Sequence, residues 1–281
     1  MDFVTSADGT RIAYERAGSG HPIVFASGAF NDHHTCAPLA QRLAGDFTVL
    51  TYDRRARGES GDTRPYAIVR EVEDLAALID SVGGAAAVFG YSSGALLALS
   101  AAEMKAPVTH LALYEAPFAI DGWQDQADLP ARLDDLVRQG RGGDAVTLFQ
   151  TEGIGLPPEM VAAIRESPMF PALEAIAQST VYDATLTAAY AGGDSALSAA
   201  YAGADSAAAA VPDRSRLEVA VPSLVMNGAA TWPRLAVAAR ALADALPEAR
   251  YLEIPGGADH GLPVDETAAA VRVFLSSFLD G

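Results

Sequence analysis

The chain has 281 residues, 19 of them Lys or Arg and 36 Asp or Glu, for a formal net charge of −17. Such a deficit of cations argues against nucleic acid or an anionic membrane surface as the main partner, because phosphate contacts need clustered Lys and Arg. A single cysteine, Cys36, excludes an internal disulfide framework and a Cys-based zinc cluster.

Half of the residues are hydrophobic, enough for a sizeable core. The first residues carry neither a basic nor an apolar stretch, and no run reaches the length of a membrane span, so a soluble cytoplasmic protein is expected. Short strand-like and helix-like patterns then alternate, the signature of an α/β fold with a mostly parallel sheet. Phe3 to Thr5 and Arg11 to Glu15 flank the turn signal Ala7-Asp8-Gly9 and read as an opening hairpin. Strand Ile23 to Ala26, helix Cys36 to Ala44 and strand Phe47 to Tyr52 follow. Glu71 to Val82 places Val72, Leu75, Ala76 and Ile79 at helical spacing. Strand Ala86 to Phe89, helix Gly94 to Lys105 and strand His110 to Tyr114 complete the first run. From about Phe118 to Val219 the chain is Ala-rich, helical in pattern and without clear strands. Within it Thr187 to Ser195 is echoed at Ser198 to Ser206, too few copies for a repeat architecture. Strand Ser223 to Met226, helix Leu235 to Leu246, strand Tyr251 to Ile254 and helix Thr267 to Leu279 resume the alternation. The organisation expected is a core domain over 1–117 and 220–281, with a helical cap or lid over 118–219.

One motif carries chemistry. Gly90-Tyr91-Ser92-Ser93-Gly94 lies between an expected strand and an expected helix and fits G-x-S-x-G. A sharp strand-to-helix turn strains the central serine and lifts its hydroxyl clear, while glycines two residues either side avoid a clash across the turn. Ser92 is then a nucleophile, and the N–H of Ser93 points at a developing oxyanion.

In this motif the chain resembles the α/β-hydrolase superfamily, and the resemblance extends over nearly everything outside the insertion. Tyr52-Asp53-Arg54-Arg55-Ala56-Arg57-Gly58-Glu59-Ser60-Gly61 is similar to the family's D-x-R-G-x-G-x-S turn, with Ala56 replacing the usual first glycine. Ser27-Gly28-Ala29 stands where the family has the His-Gly of its oxyanion loop, so the resemblance implies Ala29 as the second backbone donor. Leu252 to Gly261 is similar to the last strand and catalytic-histidine loop. Of five histidines, only His260 follows the last strand and precedes the final helix, as the order Ser…acid…His requires.

The acid departs from the pattern. The family places an Asp a few residues after the strand Ser223 to Met226, where this chain has Thr231. Two explanations compete. Either the acid has moved to the end of the preceding core strand, at Glu115, as in lactone hydrolases of the zearalenone-degrading type, or there is none. The first is preferred, because a histidine base needs an orienting carboxylate. Asp259 is adjacent to His260 and a poor orienter, and Asp265 lies in the wrong place.

Phe30, Tyr91 and Trp232 sit in loops beside these elements and are expected to line a pocket, together with Trp123 from the insertion. Met160, Phe170, Tyr182, Tyr190 and Tyr201 read as pocket or core. Asp32-His33-His34 lies in the oxyanion loop, so His33 or His34 is expected to touch substrate; a metal site is not expected. Arg54, Arg55 and Arg57 read as partners for carboxylates. The function expected is a serine hydrolase acting on an ester, lactone or thioester of a mainly apolar small molecule, without metal or organic cofactor. The alternative is a binding or cyclase-like protein with a degenerate triad. The sequence is silent on oligomeric state.

Overall fold

The computed structural model describes residues 1–118, 127–191, 217 and 219–279. Eight strands form one sheet: β1 (Asp2–Thr5), β2 (Arg11–Gly18), β3 (His21–Ala26), β4 (Phe47–Tyr52), β5 (Ala86–Tyr91), β6 (Val108–Tyr114), β7 (Ser223–Ala230) and β8 (Ala249–Ala258), in the order β1-β2-β4-β3-β5-β6-β7-β8. The β1–β2 and β2–β4 pairings are antiparallel, and all others are parallel.

The central strands are apolar because both faces are covered. Every residue of β4 and β5 is buried. Alternation then divides the side chains between two cores. Val24, Ala26 and Val88 join the layer of α2 (Ile68–Asp80) and α3 (Ser93–Glu103). Ile23, Phe25 and Phe89 join the layer of α1 (His33–Leu43) and the last helix (Val264–Leu279).

β7 and β8 run further than the sequence pattern suggests, because their backbones stay paired to Ala230 and Ala258 through a register shift after Gly228. The approach is close: a Cβ on Gly257 would lie 2.5 Å from the Gly228 Cα. Extra pairing carries the chain directly into the His260 loop.

Between β6 and β7 the described residues form α4 (Leu129–Arg138), α5 (Gly142–Leu148), a π-helical turn (Phe149–Ile154), α6 (Pro158–Arg165), α7 (Phe170–Ala175) and α8 (Ala177–Tyr190). Leu129, Leu133, Val146, Phe149 and Tyr182 build a core of their own, against which Ala29 and Phe30 pack. Leu186, Ala189 and Tyr190 of α8 join the α2–α3 layer instead, tying these helices to the sheet domain. Tyr182 and Tyr190 are therefore core, and Met160 is exposed. Trp123, Tyr201 and the second copy of the echo lie outside the described residues. After β7, α9 (Pro233–Ala245) and α10 (Val264–Leu279) close the fold. Among the described residues no helix is long and apolar enough to cross a membrane.

Candidate active site

The turn from β5 to α3 leaves Ser92 at φ 56°, ψ −126°, a conformation L-residues rarely adopt. Its flanks must be glycine. A Cβ on Gly94 would stand 2.2 Å from the Ala26 carbonyl oxygen, and one on Gly90 2.4 Å from the Ala95 Cα. These are backbone atoms of packed elements and have nowhere to move.

The Ser92 hydroxyl lies 3.0 Å from His260 Nε2, and His260 Nδ1 bonds Glu115 Oε2. A carboxylate only accepts, so Nδ1 carries the ring proton and Nε2 is left to accept from Ser92 Oγ. Glu115 is fully buried at the end of β6, at φ 51°. Its other oxygen accepts the Gly228 N–H at 2.8 Å. Strand order explains the meeting. β6 lies between β5 and β7, so its end falls between the elbow and the His260 loop. Asp259 is exposed, and Asp265 pairs with Arg42 at the surface. The Thr231 hydroxyl, at the usual acid position, makes no hydrogen bond among the described residues.

His260 itself has φ 63° and is held from several sides. Tyr91 donates its hydroxyl to the His260 carbonyl (2.6 Å), and Tyr114 to that of Gly261 (2.8 Å). Burial and the Glu115 charge push the Tyr91 phenol up, so it remains a donor at neutral pH. The imidazole lies between the rings of Tyr91 (5.1 Å) and Trp232 (5.4 Å).

Ala29 and Ser93 flank Ser92 and His260 on the wall of one cavity of about 240 Å³. Their loop approaches closely, since a Cβ on Gly28 would lie 2.8 Å from the Ser92 Cβ. The Asn31 amide donates to the Ala29 carbonyl at 2.9 Å.

Beneath the loop lies a buried ionic network. Arg54 forks onto Glu71 (2.7 and 2.8 Å) and reaches Asp183 (2.9 Å). Arg57 Nη2 donates to both oxygens of Asp183 (2.9 and 2.8 Å). The same arginines donate to the Ser27 and Gly28 carbonyls, at 3.2 and 2.7 Å, and the Ser93 hydroxyl donates to Asp183 at 2.7 Å. Two cations thus balance two anions out of water, the condition under which buried charge is tolerated. Burial would raise the Asp183 pKa, but Arg57, Arg54 and the Ser93 hydroxyl outweigh it and hold the carboxyl below its ordinary value. Arg55 pairs separately with Asp74 and Asp8.

Tyr91 and Trp232 line the cavity. Phe30 does not. It stands one layer back, edge-on to the Phe149 ring at 5.6 Å, and Phe149 forms the wall. Neither His33 nor His34 reaches the cavity, although Asn31 does. Asp32, His33 and His34 bring ligand atoms within 4.8 Å of one another, but His33 Nδ1 bonds Asp53 at 2.7 Å and Asp32 caps α1 through the His34 N–H. Burial pushes the Cys36 thiol up to about 12, which makes it inert. Sequence reasoning missed Asn31, Phe149, Ile154, Arg234 and Asp183. Arg234 follows Trp232-Pro233 in a segment already singled out. Asp183 carries no local signal, because its arginine partners lie more than a hundred residues away and Ser93 lies 90 away.

Comparison with known proteins agrees with this fold. A solved alpha/beta hydrolase from Sphaerobacter thermophilus is 42% identical, with a TM-score of 0.80, covering 98% of this chain and 100% of that one. An enol-lactonase from Burkholderia xenovorans LB400 shares the fold at 21% identity, with a TM-score of 0.63 and 100% coverage of both chains. BpoC of Mycobacterium tuberculosis, whose name assigns it provisionally to the non-heme bromoperoxidases, is 27% identical over 94% of this chain and 98% of its own. The family model described as the alpha/beta hydrolase family matches residues 23–273. This chain belongs to the alpha/beta hydrolase family.

Proposed function

We propose that the protein is a serine hydrolase of carboxylic esters or lactones that works through Ser92, His260 and Glu115. The observation that carries this reading is the unbroken line of hydrogen bonds from Ser92 Oγ through His260 to Glu115, anchored on the Gly228 N–H.

Ser92 Oγ attacks the carbonyl carbon as His260 Nε2 takes its proton. The new oxyanion faces the N–H groups of Ala29 and Ser93. Collapse breaks the bond to the leaving oxygen, which takes the proton from the imidazolium and leaves an acyl group on Ser92. Water then repeats the sequence and releases the acid. Glu115 fixes the tautomer and offsets the imidazolium charge. The helices α4–α8 act as the cap. The acyl chain meets mainly apolar walls, supplied by Phe149, Ile154, Trp232 and Leu235. The steps need no metal or cofactor. Peroxide in place of water would give perhydrolysis with the same residues, the direction to which the name of BpoC points.

The competing reading, a binding or cyclase-like protein, drew on Thr231 and Ser27. A carboxylate on His260 and arginine-held carbonyls in the oxyanion loop weigh against it. Labelling with a fluorophosphonate, mapped by mass, separates the two. The expected result is a label on Ser92 and hydrolysis of p-nitrophenyl esters that is lost in Ser92→Ala. No label and no turnover would overturn the hydrolase.

A further inference from the structure

Among the described residues Arg54, Arg55, Arg57 and Arg234 are buried or half-buried near the site, and one of them breaks the pattern. Arg54, Arg55 and Arg57 are fully buried and each meets carboxylates. Arg234 lines the cavity that holds Ser92 and His260. It donates to the Ile154 carbonyl and lies 5.2 Å from the centre of the Trp232 ring. Among the described residues no carboxylate is paired with it, and burial alone moves its pKa, downwards.

Its place in the fold adds a second electrostatic cost. Arg234 occupies the first turn of α9, where the helix dipole is already positive, and that turn contains no acidic residue. A cation withdrawn from water, set against a like-signed helix end and without a counter-ion is unfavourable in the free protein. A ligand anion would supply the missing counter-ion and offset the helix end, and its attraction is strengthened by the partial withdrawal from water. The guanidinium also offers five N–H donors in a fork that suits a carboxylate, and the Ile154 carbonyl is one acceptor.

We infer that Arg234 is a specificity-determining residue that binds a carboxylate on the substrate, so that the preferred ester or lactone carries an acid group a short chain away from the carbonyl that Ser92 attacks. This rests on the ester-hydrolase reading for the reaction, but the anion site stands on its own geometry. The small cavity, about 240 Å³, restricts the spacer to a few carbons. Arg234 is the one arginine or lysine in the lining, and so the favoured place for the acid group.

A matched pair of substrates tests it: p-nitrophenyl hydrogen glutarate and its neutral twin, p-nitrophenyl methyl glutarate. The wild-type protein is expected to favour the acid ester in kcat/KM by about tenfold, the strength of one charge-assisted fork at a half-exposed site. Arg234→Gln is expected to bring the ratio to about one, mainly through KM, and Arg234→Lys to keep part of it. A wild-type ratio near one, or a ratio that Arg234→Gln leaves in place, overturns the inference. Calorimetry reads the site without turnover. Monomethyl glutarate is expected to bind Ser92→Ala about tenfold more tightly than Ser92→Ala/Arg234→Gln, and equal or undetectable binding in both overturns the inference. A binding difference in a protein that takes no fluorophosphonate label would retire the hydrolase and keep the anion site. Hydrolysis of both esters without discrimination would do the reverse.

Discussion

Glu115 and Asp183 are both fully buried carboxylates, and both reach the elbow, Glu115 through His260 to Ser92 and Asp183 through the Ser93 hydroxyl. Their partners differ. Glu115 meets a histidine and one backbone N–H. Asp183 meets two arginines and a serine hydroxyl. A histidine takes up and releases a proton near neutral pH, whereas an arginine stays charged. The first arrangement is therefore suited to moving a proton, the second to holding the oxyanion loop and α8 still. Whether a buried acid does chemistry or architecture depends on the partner's ability to titrate.

Breaking the first side gives the largest expected effect. Ser92→Ala should lower turnover of a good ester by about a million-fold and Glu115→Gln by about ten-thousand-fold, each with a small change in melting temperature. Near-native turnover in Glu115→Gln would sink the assignment of the acid. Breaking the second side should do the opposite. Asp183→Asn leaves Arg54 and Arg57 short of one charge and is expected to cost about 3–5 kcal/mol of stability in denaturant melts. Its folded fraction should turn over ester far faster than Glu115→Gln. A loss below about 1 kcal/mol would mean that the network does not hold the loop.

Acid sharpens the contrast. Asp183 and Glu71 both lie below their ordinary pKa, because neighbouring arginine charge outweighs the effect of burial. Their stabilisation is therefore complete above the unfolded carboxylate values of about 4 and is lost as pH falls through the lower folded values. Melting temperature should drop steeply below pH 4, and less steeply in Asp183→Asn. The smallest effect is expected at Ala56, held at φ 61° where the family has glycine. Ala56→Gly relieves that strain against a larger unfolded-state entropy, for a net gain of up to about 1 kcal/mol.

Most of the sheet and the elbow were legible because their signals are local. β4 spans the same residues in sequence pattern and structure, and the spacing of Gly90, Ser92 and Gly94 reflects contacts made within one turn. The places of His260 and Glu115 in the fold were legible by position, just past the ends of strands that the alternation already defined. The insertion was not. α8 is buried on nearly every side, so no apolar stripe marks a face, and its one charged residue, Asp183, bonds arginines 126 and 129 positions away. Phe30 misled for a related reason. Loop adjacency says that a side chain is near the site, but only packing against Phe149 decides which ring forms the wall.

Strain is concentrated here too. Phe30, Ser92, Glu115, Asp259 and His260 all have positive φ. Such conformations cost of order 1 kcal/mol or more each and persist where surrounding bonds over-determine them.

The carboxylate on β6 has a consequence for how this scaffold can diversify. The turn after β7 supplies no carboxylate to His260, yet it borders the cavity through Trp232 and Arg234. On the proposed mechanism Arg234, which would select the substrate, and Ser92, Glu115 and His260, which would react with it, therefore occupy separate stretches of chain. Changes at Thr231 and Arg234 would sample new substrates, whereas Ala230 and Trp232, which sit against Ala258 and His260, have to be kept for the base to stay in place.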